Sequence, residues 1–220
     1  MYIIICGADL TGKGLAKRLT EQKHDVVVID TDLAACEEIY ANFGTVTING
    51  SATDIEIIES AGIDMCDVAV ATMRNDADNL AFAMLAKHYG VKQIIVKMND
   101  PNYEDVYKKV GVRNISRGTE LLIDQIMLNI ENPELKTLIY FGNIEICIFA
   151  IPESARCVGQ KVAGIAMLKG FPKQINVTCI FKDSTNSYII PRGDTEIESK
   201  DKVFICGSID DIKEAVKYLS

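Results

Sequence analysis

The sequence predicts an α/β protein in which a doubly wound parallel sheet is followed by a small α+β lobe. Tyr2–Cys6 and Val26–Ile29 are short apolar runs rich in β-branched residues, as strands buried on both faces are. Further short apolar runs alternate with helical patterns as far as Ser116, and this alternation is typical of a parallel sheet. After Thr137 the pattern changes, and short strands dominate.

The first strand ends in a glycine-containing turn, Gly7–Gly12, which reads GADLTG. A helical apolar spacing covers Gly12–Gln22, and the second strand ends at Asp30. This is the opening of a Rossmann-like dinucleotide fold, with a carboxylate where a ribose hydroxyl needs an acceptor. The fingerprint G-x-G-x-x-G is altered because Asp9 replaces the middle glycine. Its carboxylate should repel a phosphate, although a helix N-terminus attracts one.

The remaining elements of the first lobe follow in chain order. Caps, apolar spacing and terminal glycines predict helices over Asp32–Ala41, Ile55–Ala61 and Ala77–Tyr89, and another opened by Pro101. Apolar runs predict strands at Thr45–Ile48, Asp67–Ala71, Gln93–Lys97 and Val112–Ser116. Ligands of doubly wound sheets bind at the carboxyl ends of strands near the switch point. We therefore expect four loops to surround one crevice: Gly7–Gly12, Asp30–Asp32, Gly50–Thr53 and Thr72–Arg74.

A helix predicted over Thr119–Glu131 is apolar around most of its circumference. Such a helix must be buried on several sides, so we expect it to pack on a neighbouring subunit or lobe; burial inside its own domain is the alternative. Asn132–Glu134 reads as a hinge. The predicted domains are residues 1–131, a linker at 132–136, and residues 137–220.

The second lobe is predicted to be a small α+β unit. Short apolar runs predict strands at Leu138–Phe141, Glu145–Ala150, Val177–Phe181, Ser187–Ile190 and Lys202–Cys206. Helices are expected at about Lys161–Leu168 and at Asp210–Leu219. Polar turns at Asp183–Asn186 and Arg192–Asp194 separate the later strands.

Composition excludes several classes of function. The net charge is −8, so bulk electrostatics favour neither nucleic acid nor anionic membranes as partners. No apolar run approaches the roughly 18–20 residues that span a bilayer, and the chain enters a strand without a signal-like stretch, so we expect a cytoplasmic protein. The seven cysteines form no C-x-x-C pair, and only His24 and His88 supply imidazoles. We therefore expect no metal site and no catalytic residue.

Several distinct motifs are distributed along nearly the whole chain. In the first lobe they are the turn Gly7–Gly12 and the segments Val26–Asp30, Gly50–Asp54 and Asp67–Thr72. In the second lobe they are Val158–Lys161, Ile180–Asp183, Ile190–Thr195 and Lys200–Gly207. Together they resemble the cytosolic regulatory subunits of Trk/Ktr potassium uptake systems, which carry an RCK domain (regulator of potassium conductance). Ordinary dehydrogenases share only the first-lobe pattern.

The resemblance implies a regulatory protein and not an enzyme. Such subunits assemble as rings, usually octamers, on the cytoplasmic face of a separate membrane channel or transporter. They bind NAD(H) or adenine nucleotides, and the ligand changes the shape of the ring and so the state of the pore. This implies a subunit held at the inner face of the cell membrane by its partner, in a ring of identical or paralogous subunits. Thr119–Glu131 corresponds to the family's crossover helix, which packs on a neighbouring subunit.

The resemblance also implies the nucleotide contacts. Six residues would face the phosphates: Gly7, Ala8, Asp9, Leu10, Thr11 and Gly12. Asp30 would face the ribose, Thr31 after it is a further contact, and Ser51 and Ala52 would lie by the adenine. Thr72, Met73 and Arg74 would flank the ligand, and Lys97 would reach the same crevice. Leu10 stands where many relatives have an arginine that can contact phosphate. Because Asp9 also adds a negative charge, we expect AMP to be preferred over ATP or an intact dinucleotide. Arg74 and Lys13 would compensate in part.

Two other functions compete with this one. A nucleotide-free scaffold subunit of a mixed ring would explain Asp9 as the sign of a lost site. An NAD-dependent oxidoreductase would need an acid or base facing the nicotinamide. The lobe after Thr137 contains no histidine and no grouped polar residues of that kind, so the enzyme is disfavoured.

Overall fold

The computed structural model describes residues 1–131, 135–141 and 144–220. The chain divides into two compact units, Met1–Thr119 and Glu120–Ser220, and each has its own hydrophobic core. The predicted hinge at Asn132–Glu134 lies outside the described residues. Among the described helices, none combines the length and the apolar character that crossing a bilayer requires.

The first unit is a six-stranded, all-parallel sheet with the order β3-β2-β1-β4-β5-β6. Its strands are β1 (Tyr2–Cys6), β2 (Asp25–Asp30), β3 (Val46–Asn49), β4 (Val68–Ala71), β5 (Gln93–Lys97) and β6 (Asn114–Ser116). Its helices are α1 (Leu10–Glu21), α2 (Leu33–Phe43), α3 (Ile55–Ser60), α4 (Asp76–His88) and α5 (Glu104–Lys109). The predicted Rossmann-like fold is confirmed. Pro101 opens a 3₁₀ turn, and the α-helix predicted from it begins at Glu104 instead.

The central strand β1 shows why its sequence is apolar without alternation. It pairs with β2 on one side and with β4 on the other, so the strand order reverses beside it. Ile4 and Cys6 belong to one buried cluster, whereas Ile3 and Ile5 belong to another. Successive side chains of a strand point to opposite faces, so both faces of the sheet are covered. The reversal between β1 and β4 creates the crevice at their carboxyl ends.

The second unit contains an antiparallel five-stranded sheet with the order β10-β9-β11-β8-β7. Its strands are β7 (Leu135–Phe141), β8 (Ile144–Ala150), β9 (Asn176–Lys182), β10 (Ser187–Ile189) and β11 (Lys202–Gly207). Its helices are α7 (Val162–Ala166) and α8 (Ile209–Leu219), together with α6 (Gly118–Glu131), whose first two residues belong to the first unit. This small lobe confirms the predicted class. β7 begins three residues before the predicted strand start at Leu138.

A buried ion pair closes this second sheet. Lys182, at the end of β9, donates to a carboxylate oxygen of Asp201 at 2.8 Å and to the carbonyl oxygen of Glu196 at 2.6 Å. Asp201 is fully buried, and it also accepts the backbone N–H of Glu198. Burial alone would lower the pKa of Lys182, but its bonds to Asp201 and Glu198 outweigh burial and raise that pKa. The pair therefore fixes the approach to β11 against the end of β9.

Helix α6 presents large apolar side chains to solvent in this chain. Leu122 is 55 % exposed, Ile126 is 49 % exposed and Ile130 is 70 % exposed. Burial within its own domain was the alternative expectation for this helix, and these exposures do not favour it.

Candidate functional site

A cleft of about 350 Å³ opens at the carboxyl ends of β1, β2 and β4. Predicted residues that line it are Gly7, Ala8, Asp9, Asp30, Thr31, Ser51, Ala52, Thr72, Met73 and Arg74. The remaining lining residues are Ile29, Asp32, Ala35, Gly50, Asn75 and Asp78. All four loops expected to converge contribute to this one cleft.

Two glycines bring the start of α1 against the strands. Gly7 has a φ of +106°, and a Cβ built on it would lie 2.8 Å from the carbonyl carbon of Thr72. A Cβ on Gly12 would lie only 1.8 Å from the carbonyl oxygen of Gly7. Gly12 is buried and lies outside the cleft lining, so its role is to allow this close approach.

Asp9 occupies the start of helix α1. One carboxylate oxygen accepts the backbone N–H groups of Thr11 at 2.9 Å and Gly12 at 3.1 Å. The other accepts Lys97 Nζ at 2.6 Å. Burial acts to raise the pKa of Asp9, but the bonds from Lys97, Gly12 and Thr11 prevail and lower it. At neutral pH the start of α1 therefore already carries an anion, held by the protein itself.

Four predicted residues lie outside the cleft lining: Leu10, Thr11, Gly12 and Lys97. Leu10 is 90 % exposed, and Thr11 contributes its backbone N–H to Asp9. Lys97 reaches the cleft only through Asp9, since it is not itself a lining residue. Lys13, expected to compensate for the missing arginine, forms an ion pair with Glu38 of α2.

The carboxylate of Asp30, at the end of β2, is hydrogen-bonded to the turn that follows β1. It accepts the backbone N–H of Ala8 at 2.5 Å through one oxygen and that of Asp32 at 2.8 Å through the other. A carboxylate oxygen can accept more than one hydrogen bond, so both atoms retain capacity for a sugar hydroxyl. This position at the end of β2 is the one in which dinucleotide folds bind the ribose.

The loop after β4 is fixed by two buried polar side chains. The Thr72 hydroxyl donates to the carbonyl oxygens of Cys6 and Gly7 at 3.0 and 3.1 Å. Asn79, fully buried in α4, accepts the backbone N–H of Met73 at 2.9 Å and donates to the carbonyl oxygen of Lys97 at 3.1 Å. Asn79 therefore links the loop that carries Met73 to the end of β5.

The cleft lining carries more negative than positive charge. Its carboxylates belong to Asp9, Asp30, Asp32 and Asp78, and Arg74 provides the positive charge. Ile29, Ala35, Ala52 and Met73 provide apolar surface. The arrangement suits a base and a sugar, whereas each additional phosphate would meet increasing repulsion. No group of three or more possible metal ligands occurs within the described residues.

Some cleft residues were not assigned in advance, although signals for them exist. Asp32 and Gly50 lay in the loops expected to converge, but neither was named as a contact. Asn75 caps α4 through the backbone N–H of Ala77, and Asp78 lies in the first turn of the same helix. The first turn after a parallel strand faces the ligand edge of the sheet, so that position alone could have indicated them.

Comparisons with known proteins cover both units. The TrkA-N domain model matches residues 3–117, and the TrkA-C domain model matches residues 146–220. The Trk system potassium uptake protein TrkA homolog of Methanothermobacter thermautotrophicus is 28 % identical over 218 residues, which span 99 % of this chain and 98 % of that protein. A protein of the same description from Archaeoglobus fulgidus is 30 % identical over 97 % of this chain, which spans 48 % of the relative.

Solved structures share the fold at low sequence identity. The GsuK channel bound to NAD has a TM-score of 0.64 and 19 % identity over 99 % of this chain and 39 % of its own. The AMP-bound form of the Shewanella denitrificans Kef CTD has a TM-score of 0.52 and 19 % identity over 60 % of this chain and 82 % of its own. The chain thus spans about two-fifths of the GsuK channel chain.

Proposed function

Because the chain belongs to the TrkA family, we propose that it is a regulatory RCK subunit of a potassium uptake system whose cleft binds an adenine nucleotide or NAD(H). The observation that carries the proposal is the cleft at the switch point, with Asp30 at the ribose position and α1 opening beside it. Relatives described as Trk potassium uptake proteins, and similarly folded proteins described as bound to NAD, ADP or AMP, support it.

We propose AMP as the preferred ligand. The base would lie on the apolar surface by Ala52 and the ribose would donate to Asp30. Arg74 is the cleft residue available for a single phosphate. Thr31, Ser51, Thr72 and Met73 complete the proposed contacts, and the Gly7–Gly12 turn sets the phosphate end of the site. The four carboxylates of the lining disfavour ADP, ATP and intact dinucleotides.

The proposed output is a change in ring conformation. We propose that the subunits form a ring, an octamer in the simplest case, and bind the cytoplasmic face of a membrane channel or transporter. The proposed domains are residues 1–131 and 137–220 with a linker at 132–136, although Leu135 and Lys136 of that linker already pair with β8 as part of β7. A nucleotide shifts such a ring only by its differential affinity for two states, and a hundredfold difference corresponds to about 2.7 kcal/mol. No catalytic step is needed for this function.

A scaffold that binds no nucleotide is the second candidate. It is favoured by one observation, that Asp9 already accepts the N–H groups at the start of α1. In this case the cleft would persist as part of the fold without binding a nucleotide. The chain would then act in a mixed ring beside a nucleotide-binding subunit.

The deciding experiment is thermal unfolding of the purified protein with AMP, ADP, ATP, NAD⁺ or NADH at equal concentration. A ligand that binds only the folded state stabilises it by about 2.7 kcal/mol at a hundredfold excess over Kd. We expect the largest rise in melting temperature with AMP, a loss of that rise in Asp30→Asn, and its retention in the matched control Asp64→Asn, in the turn Ile63–Met65. No rise with any nucleotide would favour the scaffold.

A further inference from the structure

The pair formed by Asp9 and Lys97 joins residues far apart in the chain. Lys97 ends β5, where it pairs with Ser116 of β6, and its carbonyl oxygen accepts Asn79 Nδ2. Its ammonium group lies 2.6 Å from the Asp9 carboxylate. The two side chains are 19 % and 20 % exposed, so solvent screens the pair only in part.

The contacts of Asp9 resemble those of a phosphate bound at the N-terminus of a helix. A phosphate at a helix N-terminus accepts backbone N–H groups, and a lysine commonly provides its positive charge. Here one carboxylate receives both, with the N–H groups of Thr11 and Gly12 on one oxygen and Lys97 on the other. A phosphate that approaches α1 therefore meets the Asp9 carboxylate, and the N–H groups and the lysine that could bind the phosphate already donate to Asp9.

We propose that the Asp9–Lys97 pair is an internal substitute for a ligand phosphate and determines how many phosphates the cleft accepts. This inference rests on the nucleotide-binding function proposed above. A second phosphate can reach the start of α1 only by separating Asp9 from Lys97 and from two N–H groups. A nucleoside monophosphate leaves that network intact because its single phosphate can bind beside Arg74, which lines the same cleft.

Lys97 has a conditional role in this arrangement. With Asp9 present, its charge is neutralised by the pair. Without the carboxylate of Asp9, the ammonium group is no longer neutralised and can bind a phosphate; where no capping side chain replaces Asp9, the N–H groups of Thr11 and Gly12 are also free to bind it. The proposal therefore predicts a gain of binding on removal of Asp9, and it predicts that this gain requires Lys97.

The test measures Kd for AMP, ADP and NAD⁺ by calorimetry with the full chain, in EDTA and again with Mg²⁺. Asp9→Asn removes the charge that neutralises Lys97 but keeps a side chain that can still cap the helix. Asp9→Gly removes the cap as well, frees the N–H groups of Thr11 and Gly12, and restores the glycine of the fingerprint. Both variants should bind ADP and NAD⁺ at least about tenfold more tightly relative to AMP than the original chain does, since charge-assisted contacts become available. Lys97→Met alone should bring no such gain, and Lys97→Met combined with Asp9→Asn should abolish it.

The outcomes separate the two proposals. If AMP binds but the ratio of AMP to ADP affinity is the same in Asp9→Asn and in the original chain, the pair serves only stability and the inference is overturned. A tightening for ADP that persists in the double variant would exclude the role of Lys97. If Mg²⁺ alone makes ADP the tighter ligand of the original chain, Asp9 does not limit phosphates and the inference also fails. If neither the original chain nor Asp9→Asn binds any nucleotide, the proposed function itself fails.

Discussion

Gly12 and Gly14 lie two residues apart in α1 and have opposite surroundings. A Cβ on Gly12 would lie 1.8 Å from the carbonyl oxygen of Gly7 and 3.0 Å from the Thr72 hydroxyl, so backbone and a buried side chain both oppose it. A Cβ on Gly14 would have no heavy atom within 4 Å. The first glycine is therefore required by the contact between helix and strand, whereas the second only lowers helix propensity.

Gly12→Ala should lower the free energy of unfolding by about 1–3 kcal/mol or more, because the start of α1 must move away from β1. Gly14→Ala is the matched control, and it should leave that free energy unchanged or raise it by up to about 1 kcal/mol through helix propensity. Urea unfolding of both variants measures the difference. Equal midpoints would show that the helix start tolerates displacement.

Residue types alone indicated the turn and Asp30, but they did not indicate the partner of Asp9. The sequence shows a carboxylate in the fingerprint, from which repulsion of phosphate follows directly. It does not show that Lys97, 88 positions later, reaches that carboxylate. That contact depends on the strand order, which places the end of β5 near the start of α1, and on the length of a lysine side chain.

At the scale of elements, Lys182 and Asp201 hold two strands of the second sheet together. Asp201 precedes β11 directly and is fully buried, and Lys182 ends β9. The contact between the end of β9 and the start of β11 therefore depends on the Asp201 carboxylate, which has no access to solvent. Loss of one partner therefore leaves the other without compensation.

Lys182→Met should lower the free energy of unfolding by about 3–5 kcal/mol, because the Asp201 carboxylate would remain buried without its cation. Lys217→Met is the control: that lysine is 68 % exposed and pairs with Glu214 on the surface of α8, so its loss should change the free energy by no more than about 1 kcal/mol. Thermal and urea unfolding provide the comparison. A small effect at Lys182 would mean that Asp201 is easily hydrated.

Sequence patterns located the central strands β1, β2 and β4 well because each contains a continuous buried apolar run. The outer strand β6 is not such a run, and it begins at Asn114 and not at the predicted Val112. They located the second lobe less closely. β7 starts at Leu135 and not at Leu138, because its first residues, Leu135 and Lys136, pair with β8 as strand although they do not extend an apolar run. The helix predicted over Lys161–Leu168 is shorter, Val162–Ala166, because Lys161 forms an isolated β-bridge with Glu196 and the chain turns at Met167.

At the scale of the whole molecule, α6 carries a group of exposed apolar side chains. Its exposed residues include Leu121, Leu122, Ile123, Ile126, Met127 and Ile130. A contiguous apolar helix surface is a common sign of protein association. It supports the proposed ring because the same helix in each subunit could cover its neighbour's.

The variant Leu122→Glu/Ile126→Glu places two charges one turn apart on α6, and it should reduce the size of the assembly seen by sedimentation velocity. Charged groups at an apolar contact oppose association because they would be buried without partners. Met84→Glu, on α4 at 53 % exposure, is the control and should sediment as the original chain does. If the α6 variant keeps the original size, assembly uses another surface.

The buried side chain of Asn79 has a consequence for spectroscopy. Its amide contacts the backbone of Met73, a cleft residue, and the carbonyl oxygen of Lys97, whose ammonium group pairs with Asp9. The two protons of a primary amide give a paired NMR signal, and full burial slows their exchange with water. Asn79 would thus act as a natural NMR probe that senses occupancy of the cleft on one side and the state of the ion pair on the other.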